Sequence, residues 1–379
     1  MAQAILQFGT SRFLQAHVDL FVHEALAGVA GAGDALGGIT VVQTTDRADG
    51  AARIAALAAG GGYPVRIRGL AGGERIDRSV MCTAVREAWQ AGAQWPALRA
   101  AVAGEVQVIV SNTADKGYLL DERDGPSALA ADRCAPHSFP AKLLVLLHGR
   151  WQSAPHAPLS LLPCELIERN GEVLRDVVAG LARDWQTPKG FIDWLTQHCV
   201  WANSLVDRIV SEAIEPVGAV AEPYAVWVVE RQARLVMPCT HPAILLTDDL
   251  AFHERLKLFL LNAGHTWLAE RWLERGLPPG LTVREAMADD ALRAGLEALW
   301  ADEILPVFDS AAARAQAEAY LVDVRERFCN PFLDHRIADI AQNHAQKKQR
   351  RLGPIVALAA ERAPQLAQPG LKAALASPL

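Results

Sequence analysis

The sequence predicts an α/β first half followed by a mainly α-helical second half, and three observations carry that reading. Short apolar runs alternate with amphipathic stretches up to about residue 190, the pattern of a parallel sheet covered by helices. A polar turn, Gly9-Thr10-Ser11, follows the first apolar run directly and precedes a helical pattern. Beyond residue 190 helical periodicity dominates. The expected division is therefore residues 1–190 and residues 191–379.

Taken in order, residues 4–8 read as an apolar strand, 9–11 as a turn, and 13–27 as an amphipathic helix with Phe13, His17, Leu20, Phe21 and Ala25 near one face. Residues 38–44 are the second strand. A hairpin is expected around 60–69, where three glycines precede Tyr-Pro-Val-Arg-Ile-Arg. Residues 106–110 form a buried strand leading into Ser111-Asn112-Thr113, and 159–163 form another. The stretch 121–137 reads as a long surface loop. In the second half, helices are expected over 191–213, 253–275, 283–299, 310–328 and 334–349, with proline-rich breaks at 215–223 and 277–281. Ligands of parallel sheets bind at the carboxyl ends of the strands, where the polar turns fall, so residues 1–190 are expected to be a Rossmann-like dinucleotide-binding domain.

Composition excludes several classes of function. The chain has 379 residues, 51% hydrophobic and 21% charged, which fits two globular domains rather than a disordered chain. A formal net charge of −6 argues against nucleic acid or an anionic membrane as partner. No apolar run reaches the roughly 18–20 residues of a membrane span. The first residues run into a strand with no basic leader, so a cytoplasmic location is expected. The six cysteines show no Cys-x-x-Cys spacing and read as free thiols, and isolated Cys/His pairs do not make a metal site. The oligomeric state is open.

One helical stretch carries chemistry. Lys257-Leu-Phe-Leu-Leu-Asn262-Ala-Gly-His265 places an amine, a carboxamide and an imidazole along one segment. At about 100° per residue of α-helix, Asn262 falls about 140° and His265 about 80° from Lys257, within one broad face. The apolar residues between them would hold the polar heads at the edge of a desolvated site, where burial lowers a lysine's pKa toward the range of a general acid/base.

The spacing Lys257-x4-Asn262-x2-His265 resembles the signature of the mannitol dehydrogenase family, the polyol-specific long-chain dehydrogenases. The turn Phe8-Gly9-Thr10-Ser11-Arg12-Phe13 and its continuation to His17 resemble that family's cofactor loop, with Ser11 in place of a second glycine and Gln15 in place of an arginine. Ser111-Asn112-Thr113, Phe139-Pro140-Ala141-Lys142, Pro163-Cys164-Glu165-Leu166-Ile167, Asn170-Gly171, Val206-Asp207-Arg208-Ile209 and Asn330-Pro331-Phe332 follow in the family's order. The Ser-Asn-Thr and Pro-Cys-Glu-Leu-Ile variants are most similar to the uronate-reducing, tagaturonate (altronate) reductase branch. Leu166 stands where the mannitol-oxidising branch carries an asparagine, and the chain is shorter than the enzymes it resembles.

The resemblance implies hydride transfer between a nicotinamide cofactor and an open-chain sugar acid or polyol. Lys257 would move the proton, Asn262 would donate to the developing oxyanion, and His265 would orient a substrate hydroxyl. Phe8, Gly9, Thr10, Ser11, Arg12, Phe13, Ser111, Asn112, Thr113 and Lys142 would bind cofactor. Asp46 at the end of the second strand favours NAD, while the adjacent Arg47 leaves NADP open. Asn170, Asp207, Arg208 and Arg336 would meet the substrate, with Asp207 and Arg208 expected at the end of a helix containing Trp201 and Asn203. The basic run Lys347-Lys348-Gln349-Arg350-Arg351 reads as a solvated helix end rather than a substrate clamp. A catalytically silent relative that senses a sugar acid or nucleotide is the reading from another class.

Overall fold

The computed structural model describes residues 3–45, 50–113, 117–130 and 134–378. Its strands are β1 (Ile5–Phe8), β2 (Ile39–Gln43), β3 (Tyr63–Ala71), β4 (Glu74–Cys82), β5 (Val85–Gln90), β6 (Val108–Ser111), β7 (Ser160–Pro163), β8 (Val200–Trp201), β9 (Ser204–Asp207), β10 (Val210–Ala213), β11 (Ala219–Ala221), β12 (Val226–Glu230) and β13 (Ile244–Thr247). Six of them make a parallel sheet in the order β5-β2-β1-β6-β7-β8. Counted along the chain these six strands run 3-2-1-4-5-6, the Rossmann order, with the reversal between β1 and β6.

The sheet is built from fully buried four- and five-residue runs. All of Ile5–Phe8 and Ile39–Gln43 are buried, as expected for strands covered on both faces. Register aligns Phe8 with Ser111 and Ser111 with Pro163, so the carboxyl ends of β1, β6 and β7 finish level. The core of this unit gathers residues from the sheet and from the helices Trp95–Gly104, Phe139–Ser153, Asn170–Asp184 and Lys189–Gln197. Arg150, fully buried within it, donates to the carbonyls of Val102, Val106 and Pro158 at 2.8–3.0 Å.

Several expected elements are redrawn. The helix over 13–27 is two helices, Arg12–Gln15 and Val18–Leu26. The hairpin is β3–β4 and turns at Gly72 and Gly73, both with positive φ, rather than at the three glycines before β3. The helix over 191–213 ends at Gln197, and residues 200–213 form three short strands rich in β-branched residues. The helix over 334–349 divides at Asn343, whose φ of 56° is left-handed.

The chain forms two compact units. One holds Met1–Ile67, Arg78–Ala221 and Ala225–Leu250; the other holds Arg68–Asp77, Glu222–Tyr224 and Ala251–Leu379. The division expected at residue 190 thus moves to residue 250, because β8 continues the parallel sheet beside β7 and β9, β12 and β13 make a small sheet of their own. Helices of the second unit pack on a core that includes Phe259, Leu260, Trp267, Leu296, Trp300, Leu321 and Phe328. Among the described residues no helix is long and apolar enough to cross a membrane, and no group of three or more His, Cys, Asp or Glu is placed to hold a metal.

Candidate active site

In the first unit the site grows from the ends of β1, β6 and β7. Gly9 has φ +118°, and a Cβ there would lie 2.5 Å from the Asn112 carbonyl oxygen, so only glycine lets the two turns approach. Ser11 caps the helix Arg12–Gln15: its Oγ accepts from the Leu14 N–H at 3.2 Å and donates to Asn112 Oδ1 at 3.1 Å. Asn112 Nδ2 in turn donates to the Cys164 carbonyl at 2.8 Å. The serine that replaces a second glycine therefore ties three strand ends together. Thr10 and Phe13 remain half-exposed and Arg12 exposed.

Behind that chain lies Glu165, 3% exposed. Its carboxylate accepts from Ser111 Oγ, Thr113 N–H, Thr113 Oγ1 and Tyr118 OH at 2.9–3.2 Å. Four donors, rather than a cation, surround this buried carboxyl group among the described residues. Asp46 and Arg47, expected to read the cofactor's ribose, lie outside the described residues.

One expected binding residue is consumed by the fold. Asn170 is fully buried; its Nδ2 reaches the carbonyls of Pro163, Glu165 and Ser204, and its Oδ1 accepts from Gly171 and Ser204 N–H. It has no atom left for a substrate and instead fastens the loop after β7 to β9. Lys142, expected at the cofactor, is 3% exposed and donates to the His137 carbonyl at 2.7 Å.

Asp207 closes β9 and Arg208 follows it, so these residues end a strand and not the expected helix. Both are buried, and Arg208 Nη1 donates to the Ala16 carbonyl at 2.6 Å. Beside them His17 is stacked on Phe13 and bonded to the Val226 carbonyl. Burial, reinforced by the Arg208 charge, pushes the His17 pKa down to about 3, so the ring is neutral.

In the second unit the expected helix over 253–275 has three parts. Leu250–Leu256 and Ala263–Arg275 are α-helical, and the turn between them, Lys257–Asn262, is π-helical. That changes the geometry read from the sequence. In a π turn residue i+5 lies one turn above residue i, so Asn262 comes to the same face as Lys257 instead of about 140° away. His265, three residues further in α-helix, is the next neighbour on that face. Lys257 and Asn262 are half-buried and His265 is buried.

Neighbouring groups hold the widened turn. Trp300 Nε1, itself in a second π turn (Leu299–Ile304), donates to the Leu260 carbonyl at 3.1 Å, and Thr266 Oγ1 donates to the Asn262 carbonyl at 2.9 Å. Gly264 makes room: a Cβ there would meet Trp300 at 2.9 Å and Phe328 at 3.3 Å. His265 lies against Phe328, stacked at 4.3 Å, and against His335, edge-on at 4.9 Å. Burial lowers the His335 pKa, with Asp339 opposing and Lys347 reinforcing the shift.

Arg336 is exposed at the start of the short helix Ile337–Ile340. The basic run is not the solvated helix end expected. Lys348 is 2% exposed and meets the Glu270 carboxylate at 3.1 Å, Lys347 and Arg351 are half-buried, and only Arg350 of the four cations is exposed. A cleft of about 150 Å³ elsewhere in this unit, lined by residues such as Tyr224, Asp323 and Arg327, contains none of Lys257, Asn262 and His265.

Two family models match this chain: the mannitol dehydrogenase Rossmann domain over residues 3–238 and the mannitol dehydrogenase C-terminal domain over residues 249–377. The chain belongs to the mannitol dehydrogenase family. Within it, the altronate oxidoreductase of Halalkalibacterium halodurans is 32% identical over 315 residues, covering 77% of this chain and 59% of that protein. Altronate oxidoreductases of Bacillus subtilis (30% identical; 96% of this chain, 76% of that protein) and Klebsiella pneumoniae (32%; 98% and 78%) match over more of their length.

Solved structures of the family share the fold. A substrate-free D-sorbitol dehydrogenase superposes with TM-score 0.78 at 20% identity, covering 95% of this chain and 77% of its own. The Pseudomonas fluorescens mannitol 2-dehydrogenase, in a ternary complex with NAD and D-mannitol, gives 0.69 at 19% identity over 99% and 78%.

Sequence reasoning singled out Lys257, Asn262 and His265 but not the groups that hold them. Trp300, Phe328 and His335 carry no motif of their own, and only their packing marks them. Glu165 stood inside a quoted motif, and a carboxylate at a strand's carboxyl end was the available signal.

Proposed function

We propose that this chain is an NAD-dependent dehydrogenase that interconverts a keto-sugar acid and its hydroxy acid, of the tagaturonate/altronate type, with Lys257 as general acid/base. The observation that carries the reading is the π turn that brings Lys257 and Asn262 to one face beside His265 in a family-matched C-terminal domain. The names of the relatives supply the substrate class, and the same fold also supports the polyol chemistry of the mannitol branch.

When bound, the nicotinamide accepts or supplies the hydride. Its seat is the turn at the sheet reversal: Gly9 admits the pyrophosphate to the backbone of Thr10, Ser11 and Arg12, with Phe8 and Phe13 flanking it and Ser111, Asn112 and Thr113 at the next strand end. In the reducing direction the Lys257 ammonium gives its proton to the alkoxide oxygen as that charge develops; in the oxidising direction neutral Lys257 removes it. Asn262 Nδ2 donates to the same oxygen, and His265 orients an adjacent hydroxyl. Arg336, exposed at the start of its short helix, meets the rest of the substrate's polar chain.

The test follows NADH and NADPH consumption by the full chain with tagaturonate, fructuronate and fructose, and the reverse reaction with altronate, mannitol and arabinitol. Turnover of a keto-uronate above fructose supports the reading. Equal or better turnover of the uncharged sugars assigns the chain to polyol oxidation, and NADH binding without turnover of any sugar makes it a silent relative.

A further inference from the structure

The residues that end β6 are held by two consecutive residues that end β7. Ser111 is bound twice: its carbonyl accepts from the Cys164 N–H at 2.7 Å, and its Oγ donates to Glu165 Oε2 at 3.0 Å. Asn112 Nδ2 donates to the Cys164 carbonyl at 2.8 Å. Thr113 gives both its N–H and its Oγ1 hydroxyl to Glu165 Oε1, each at 2.9 Å. Cys164 acts through its backbone, which other residues would also supply, whereas Glu165 acts through its side chain.

The hydroxyl of Tyr118 closes the cluster. It lies 3.2 Å from Glu165 Oε2 and 3.3 Å from the Asn170 carbonyl, so its one proton is shared between two acceptors. Burial, with Glu165 beside it, pushes the Tyr118 pKa up, and the phenol keeps that proton. Ser111, Tyr118, Glu165 and Asn170 are buried and Thr113 is half-buried. A buried polar cluster partnered in this way is rigid, and removing its common acceptor would strand the donors of Ser111 and Thr113.

What the cluster steadies is one wall of the cofactor seat. With Ser111 and Thr113 fixed on either side, the Asn112 carbonyl stands where a Cβ on Gly9 would lie 2.5 Å from it, and the Asn112 side chain receives Ser11 Oγ at 3.1 Å. Resting on the reading of the Gly9 turn as the seat of the dinucleotide, we infer that Glu165 is a positioning residue for the cofactor. It acts through Ser111 and Thr113, which hold the Asn112 wall against which that turn is built.

The experiment titrates NADH into the full-length chain by fluorescence and measures KM for NADH, kcat and Tm beside it. Glu165→Ala should raise the NADH Kd and KM about 10–100-fold, with a much smaller fall in kcat at saturating NADH, because Lys257, Asn262 and His265 lie in the other unit. Glu165→Gln should recover most of the affinity. Its carbonyl oxygen still faces Thr113, and the hydroxyls of Ser111 and Tyr118 can turn to accept from its amide. Thr113→Val removes one donor at nearly constant volume; it should raise the Kd a few-fold alone and add little to Glu165→Ala.

Thr187→Val is the comparison for stability by itself. Thr187 Oγ1 is a buried donor to the Ala182 carbonyl at 3.0 Å in the same unit, so its loss should lower Tm and leave NADH affinity as it was. Circular dichroism checks each fold. A folded Glu165→Ala chain with wild-type NADH affinity overturns the inference and leaves the dehydrogenase reading standing. So does an equal loss of affinity in Thr187→Val, or, where Glu165→Ala does not fold, an unchanged Kd in Thr113→Val. A wild-type chain that binds neither NADH nor NADPH overturns the proposed function itself.

Discussion

The turn system of the first unit and the Lys257 helix of the second both place polar groups where regular structure is interrupted, but they use the interruption in opposite ways. At the sheet, side chains bind one another: Ser11 to Asn112, Asn112 to the Cys164 carbonyl, and four donors to Glu165. What remains for a ligand is backbone. On the helix the backbone is irregular and is held by Trp300 and Thr266, and the groups proposed to meet a ligand are side chains. A cofactor's charged linker is recognised by fixed amides, whereas a proton transfer needs particular functional groups.

If that contrast is right, damage to the helix should appear in kcat and damage to the turns in cofactor affinity and stability. The largest expected effect is Lys257→Ala, which should lower kcat roughly 10²–10⁴-fold with little loss of NADH binding. Added small amines should restore part of the rate. A folded Lys257→Ala enzyme with near-normal turnover would show that another group carries the proton. Asn262→Ala comes next, with kcat down ~10²–10³-fold and no amine rescue; recovery with amines would mean that the carboxamide only positions the lysine.

Gly9→Ala should act on the other side of the contrast. A Cβ 2.5 Å from the Asn112 carbonyl, at φ +118°, should cost about 1–3 kcal/mol and weaken NADH binding. Urea melts and fluorescence titration read the two effects. Unimpaired binding would place the cofactor's linker elsewhere.

The smallest effect lies beneath the same turns. Asp19 is buried, its carboxylate accepts from Tyr63 OH at 2.6 Å, and burial raises its pKa from 3.8 to about 7. The folded chain thus keeps a proton that the unfolded chain has released, and stability falls as pH rises from near 4 to near 7. His17 runs the other way. With its pKa lowered from 6.5 to about 3, the unfolded chain binds a proton that the fold does not, and stability falls as pH drops through that range. The two slopes oppose each other between roughly pH 4 and 6.5. Asp19→Asn should unmask a stability that rises across that interval, with a gain of order 1 kcal/mol above pH 7. Urea midpoints measured from pH 4 to 8 check it, and a pH profile identical to that of the wild type would remove Asp19 from the balance.

Much of the first unit was legible because its strands announce themselves. Buried runs such as Ile5–Phe8 and Val108–Ser111 lie in the chain next to the turns they position, so the site's place at the sheet could be read from local pattern. The strands over 200–213 were not legible, because apolar residues there fit either period and only pairing with β7, β11 and β12 decides. Asn170 was expected at the substrate from the resemblance; its hydrogen bonds run to carbonyls of Pro163, Glu165 and Ser204, the last of which only the fold brings near. On the helix, the sequence puts the three catalytic candidates on one segment, but the angles read from it assumed a continuous α-helix and the segment contains a π turn. The π turn is held by Trp300, which no window around Lys257 contains.

That wide turn has a consequence for how the helix tolerates change in length. A π turn holds one more residue than an α turn over nearly the same rise, so it behaves as a phase shifter in an otherwise regular screw. Removing one residue between Lys257 and Asn262 would let the segment relax into continuous α-helix without pulling the flanking parts out of their packing. Lys257 and Asn262 would then stand four residues apart in α-helix, about 40° from each other, and the flanking parts would keep their bearings. The change would fall on the turn itself, where Trp300 now meets the Leu260 carbonyl, and not on either of the two halves it joins.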